Sequence, residues 1–124
     1  MALLESGEMY LETIYVLSQK SNAVRAIDIG EEMGYSKPSV SRALGLLKDD
    51  GLIKKDEDGF IKLTKAGEIH AKQIYERHTV LSDLFISLGV DEKTATEDAC
   101  RIEHYISDKT FQALKAHIEA FQSK

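Results

Sequence analysis

From Glu5 to Lys20 the apolar residues recur at helical spacing, with Tyr10, Ile14 and Leu17 on one stripe and Met9, Glu12 and Val16 on a second side. That spacing predicts a first helix. Ala26 to Met33 predicts a short second helix, stopped by Gly34. Ser36 then offers a side-chain oxygen to cap a third helix, and Pro38 falls in its first turn, where a missing N–H costs nothing. Val40, Ala43, Leu44 and Leu47 point inward along this helix, and Gly51 ends it. A helix, a tight turn containing glycine and a second helix make a helix-turn-helix. Two short β-prone runs follow, Leu52 to Lys55 and Phe60 to Leu63, around Asp56-Glu57-Asp58-Gly59. They read as a hairpin, which directly after a helix-turn-helix is a wing.

The pattern then returns to helical. Thr64 opens a long helix to about Leu88, stopped at Gly89, with Ile74, Leu81, Leu84, Phe85 and Leu88 on its stripe and His78 in the same lane. A histidine there needs a partner for its ring nitrogens, a carboxylate or carbonyl more commonly than a metal. Asp91 to Ile106 predicts the next helix, and Ser107 or Asp108 caps a last one bearing Phe111, Leu114, Ile118 and Phe121 on one side. Part of that last stripe is expected to form a subunit interface. His70 and His117 are read as surface residues.

One short stretch carries chemistry. Ala99-Cys100-Arg101-Ile102-Glu103-His104 places a thiol, a carboxylate and an imidazole within an arc of about 100° of one helix, bordering the apolar positions Ala95, Ala99, Ile102 and Ile106. Three metal-ligand types thus converge and suggest a metal sensor, while a buried Cys with a hydrogen-bonded His or Glu beside a core stripe is an equally available structural explanation. A Cys–His nucleophile is disfavoured by the lack of any Gly-rich turn or oxyanion site nearby. The chain is therefore not read as an enzyme.

Composition narrows the setting. The chain has 124 residues, 43% of them hydrophobic, and a single Cys. It can bury a core without a disulfide framework, in a reducing compartment. The first residues carry no basic segment and no apolar run approaches a membrane span, so the cytoplasm is the expected location, with no membrane partner. A net charge of −5 argues against coating nucleic acid indiscriminately. Ser36 to Lys48 nevertheless holds Lys37, Arg42 and Lys48 and no acid. With the outward Ser39 and Ser41, with Ser36 and Pro38 at the start of the helix, and with Lys54 and Lys55 on the wing, these residues are expected to form a narrow footprint for DNA: hydroxyls and lysines for phosphates, Arg42 for a guanine edge.

Taken together, Glu8-Met9-Tyr10-Leu11, Ser36-Lys37-Pro38-Ser39-Val40-Ser41 and Ala99-Cys100-Arg101-Ile102-Glu103-His104 resemble the diphtheria-toxin-repressor and manganese-transport-regulator family of metal-dependent transcriptional repressors. The resemblance covers nearly the whole chain. It implies a mainly α fold, with a winged helix-turn-helix DNA-binding domain over 1–70 and a helical metal-binding and dimerisation domain over 71–124. In that family the first and fifth helices hold divalent metal together. By position, Met9, Cys100, Glu103 and His104 match the activating site of the iron-responsive branch, and Glu12 and His78 match ligands of the manganese-responsive branch. The ancillary site of the iron branch also uses the position of His78, but Ser82 and Thr96 stand at its other ligand positions here, which puts that site in doubt. Sulfur donors favour Fe(II) over Mn(II), with Mn(II) second.

The resemblance thus implies a homodimeric repressor that binds double-stranded operator DNA when loaded with metal, to control metal-homeostasis genes, with no small organic substrate. Its two reading helices would stand about one DNA turn apart. Two alternatives stay open at this point: a winged-helix regulator sensing an organic ligand, and a metal-binding interaction protein without DNA binding.

Overall fold

A computed structural model of the chain describes residues 5–122, and the elements follow in the order α1 (Glu5–Lys20), α2 (Ala26–Met33), α3 (Lys37–Asp49), β1 (Ile53–Lys55), β2 (Ile61–Leu63), α4 (Lys65–Ser87), α5 (Glu92–Ile102) and α6 (Asp108–Gln122). The fold is mainly α. It divides into two compact units, Met1–Gln73 and Ile74–Lys124, with the boundary inside α4. Residues 1–4 and 123–124 lie outside the described ones. Among the described residues, no helix is long and apolar enough to cross a membrane.

In the first unit α1 buries Tyr10, Leu11 and Ile14 against Ile29, Val40, Leu44, Leu47, Ile53 and Ile61. Leu11 belongs to this core although the predicted stripe omitted it, while Leu17 is only half-buried. Burial, with Tyr35 beside it, pushes the Tyr10 hydroxyl up from its ordinary value. The turn between α2 and α3 closes on Gly34, whose φ of 71° is left-handed and whose N–H donates to the Gly30 carbonyl at 2.8 Å. Ser36 caps α3, its Oγ accepting from the Ser39 N–H at 3.4 Å, and Pro38 sits in the first turn. The helix-turn-helix thus forms by the capping the sequence implied.

The wing is antiparallel, pairing Ile53 with Leu63 and Lys55 with Ile61. Its turn is held by Asp56, whose Oδ1 accepts from the Asp58 and Phe60 N–H groups, each at 2.9 Å. The Ile61 N–H donates to the Val24 carbonyl at 2.8 Å, so the segment between α1 and α2 engages the outer edge of β2. Nothing in the hydrophobic pattern signalled that pairing. Where the wing meets α4, Thr64 Oγ1 donates to the Gly51 carbonyl at 2.7 Å and accepts from the Gly67 N–H at 3.1 Å. The backbones pass so closely that only glycine fits at 67: a Cβ there would lie 1.9 Å from the Leu52 carbonyl oxygen.

Two boundaries of the second unit differ from expectation. α4 stops at Ser87, and Leu88, placed on its buried stripe from the sequence, is 71% exposed. α5 stops at Ile102 rather than Ile106, and Ile102 itself is 37% exposed. The chain must turn into α6 here. The Ile102 carbonyl accepts from both Tyr105 and Ile106, at 2.9 and 3.0 Å, which tightens the last turn. Ser107 then caps α6, its Oγ accepting from the Thr110 N–H at 3.1 Å.

Candidate metal centre and nucleic-acid interface

The second unit gathers Cys100, Glu103 and His104: one ligand atom from each lies within 4.8 Å of the others. Cys100 belongs to α5, whereas Glu103 is its C-cap and His104 lies in the turn beyond. The helical spacing still brings them together because Glu103 keeps helical dihedrals, φ −57° and ψ −26°, and its N–H donates to the Ala99 carbonyl at 2.9 Å. At the start of α5 the Thr94 N–H holds the Asp91 carboxyl below its ordinary range.

Glu103 is the centre of the group. It is 1% exposed, a costly place for a carboxylate unless its oxygens are engaged. Oε2 lies 2.9 Å from His78 Nδ1. Oε1 lies 3.3 Å from His104 Nε2 without hydrogen-bond alignment, and accepts no hydrogen bond among the described residues. A buried oxygen left so, beside an imidazole nitrogen and a free thiol, fits a divalent cation. His78 therefore has the carboxylate partner that its apolar lane demanded.

Arg77 is the residue that sequence reasoning missed. Its Nη1 donates to the carbonyls of Glu103 and Ile106, at 3.2 and 3.0 Å, and Nη2 lies 3.6 Å from Asp108 Oδ1. Its guanidinium also stands over the Phe111 ring, 5.6 Å from the centroid. One side chain thus fastens the turn that carries two ligand candidates. Only its place one residue before His78, on the border of the apolar stripe, could have flagged it.

The remaining candidates belong to the first unit. Met9 and Glu12 are half-buried on α1, and the Met9 carbonyl accepts from Thr13 Oγ1 at 2.9 Å. His70, read as a surface residue, is half-buried instead, its Nε2 2.9 Å from Glu8 Oε2. His117 is exposed as expected. Ser36, Lys37, Pro38, Ser39, Ser41 and Arg42 are all exposed at the N-terminal half of α3, and Lys54 and Lys55 are exposed on β1. That surface presents hydroxyls, a guanidinium and ammonium groups together, the donors that phosphates and base edges require.

Residues 2–60 match the family model of the iron dependent repressor N-terminal DNA binding domain, and residues 64–124 match that of the iron dependent repressor metal binding and dimerisation domain. An uncharacterized HTH-type transcriptional regulator of Methanocaldococcus jannaschii is 31% identical over 122 residues, covering 97% of this chain and 98% of that protein. The transcriptional regulator MntR of Escherichia coli O6:H1 is 30% identical over 115 residues, covering 93% of this chain and 74% of that protein. The solved structure of the manganese regulator SloR superposes with a TM-score of 0.81 at 30% identity, over 96% of this chain and 55% of that one. This chain thus spans about half the length of SloR.

Proposed function

The chain belongs to the iron-dependent repressor family, and from that premise we propose that it is a metal-activated repressor answering to Fe(II) first and Mn(II) second. The observation that carries this reading is the convergence of a thiol, an imidazole and a buried carboxylate oxygen with no hydrogen-bond donor among the described residues. Family membership supports operator DNA and a second copy of the chain as partners, and repression rather than catalysis as the activity. The proposed domains are 1–70 for DNA binding and 71–124 for metal binding and dimerisation, in the cytoplasm.

In this reading Cys100 Sγ, Glu103 Oε1 and His104 Nε2 ligate, while His78 orients Glu103 or ligates through its ring. Met9 and Glu12 join the ligand set on the family resemblance. A bound divalent cation supplies positive charge that offsets the carboxylates and the thiolate. Arg77 holds the turn of Glu103 and His104 in place, so these donors need little reorganisation. Thiolate and thioether favour Fe(II), and carboxylates and imidazole keep Mn(II) second. On α3 and β1, Ser36, Lys37, Pro38, Ser39, Ser41, Arg42, Lys54 and Lys55 contact the operator, with Arg42 reading a base edge and the lysines holding phosphates.

Anaerobic titration of operator affinity with Fe(II) and Mn(II) side by side tests the metal preference. Half-activation at a lower free concentration of Fe(II) is expected. Activation by Mn(II) at the lower concentration would overturn the preference and leave metal-dependent repression in place.

A further inference from the structure

A groove of about 780 Å³ lies between α2, α3 and β1, entirely within the first unit. Its floor is apolar, formed by Val40, Leu44 and Ile53. Lysines dominate its charged lining: Lys37, Lys48, Lys54 and Lys55 stand there with a single carboxylate, Glu31.

Two features of its walls are unexplained by the fold. Gly45 stands inside α3, and a Cβ built there would meet nothing within 4 Å. Its φ is not positive, so neither backbone conformation nor packing requires glycine. A glycine within a helix weakens it, and one use of such a residue is to let another backbone approach closely. The second feature is the outer edge of β1. The bonds from Thr64 N–H to the Leu52 carbonyl and from Asp56 N–H to the Phe60 carbonyl fix the phase of the ladder, so Lys54 and Lys62 form the hydrogen-bonded pair between them. Ile53 and Lys55 therefore turn their N–H and C=O groups away from β2, and both residues line the groove.

An open strand edge accepts an extended chain through main-chain hydrogen bonds. The β1 of a second copy would set Lys54 and Lys55 against the same lysines, and like charges across a strand pair are destabilising. We infer that the groove binds an extended acidic segment of a partner protein as an added strand on β1. Its apolar side chains pack on Val40 and Leu44, its carboxylates meet the lining lysines, and its backbone passes Gly45. Because Lys37, Ser41, Lys54 and Lys55 also belong to the proposed DNA surface, the segment and the operator exclude each other. That competition rests on the operator reading, whereas the binding itself does not.

The test titrates the full chain, labelled with 15N, with an N-acetylated hexapeptide of alternating valine and glutamate, using alternating valine and lysine as control. Saturable shifts and slowed amide exchange at Ile53 and Lys55 are expected, with the basic peptide at least tenfold weaker. Gly45→Leu adds a side chain to the groove wall at a position where a Cβ meets nothing within 4 Å, and should weaken the acidic peptide at least tenfold while the melting temperature holds or rises. Lys54→Glu, an exposed change, should weaken it similarly. Equal affinity for both peptides, shifts that bypass Ile53 and Lys55, or unchanged binding by Gly45→Leu would overturn the inference. So would octanoate moving the same amides when the peptide does not, which would assign the groove to a small organic anion. If the peptide binds but leaves a labelled operator in place, only the shared DNA surface is refuted.

Discussion

Replacing Gly67 with alanine tests how the wing is fastened to α4. The added Cβ would lie 1.9 Å from the Leu52 carbonyl oxygen, where ordinary contact begins near 3.4 Å, so the two backbones must part by about 1.5 Å. That oxygen accepts the Thr64 N–H at 3.0 Å, and a displacement of this size breaks the bond. Losing the bond costs about 1 kcal/mol. Residual strain from overpacking adds about 1–3 kcal/mol, and the higher helix propensity of alanine returns at most about 1 kcal/mol. The net expectation is a destabilisation of about 1–3 kcal/mol, read as a lower urea midpoint at unchanged slope. Because Leu52 leads directly into β1, operator affinity should fall with it. A Gly67→Ala protein as stable as the parent, or more stable, would show that propensity alone governs this position and refute the close-approach argument.

Other substitutions probe the site and the surface separately. Arg77→Met should lower metal affinity about 10- to 100-fold in a competition assay, with every proposed ligand still present, because the turn of Glu103 and His104 loses its fastening. Arg42→Ala should relax base preference at one operator position at a cost of about 1–3 kcal/mol, whereas Lys54→Ala should weaken binding to all sequences and reduce the salt slope by about one unit. Asp91 has a depressed carboxyl pKa in the folded chain, so its cap contributes fully above the ordinary value of 3.8 and is lost as pH falls through the depressed folded value. Melting temperatures of the parent and Asp91→Asn should accordingly converge in acid and separate toward neutral pH.

The helix-turn-helix was legible because local signals set it: the spacing of Val40, Leu44 and Leu47, the Ser36 cap and the Gly34 turn all act within a few residues. The wing was legible for the same reason, through Asp56 and Gly59. Features that depend on distant partners were not. The Val24 carbonyl pairs with Ile61, 37 positions away, and no periodicity marks it. The end of α5 is decided by the turn toward α6 and by Arg77 donating to two carbonyls across it. At the site, the spacing of Cys100, Glu103 and His104 sufficed because helical dihedrals persist to Glu103. The partnership of Glu103 with His78 was visible only as the need of an apolar-lane histidine for some acceptor. His70 was misjudged because Glu8, its partner, lies on another helix.

Operator affinity of the parent chain and of His104→Ala, each measured with and without Fe(II) under reducing conditions, tests the central claim most directly. The parent should bind about 5- to 150-fold more tightly with metal, a coupling of about 1–3 kcal/mol. His104→Ala, folded by circular dichroism, should bind equally weakly in both conditions. Metal-independent operator binding by the parent, or full metal activation of His104→Ala, would contradict the account.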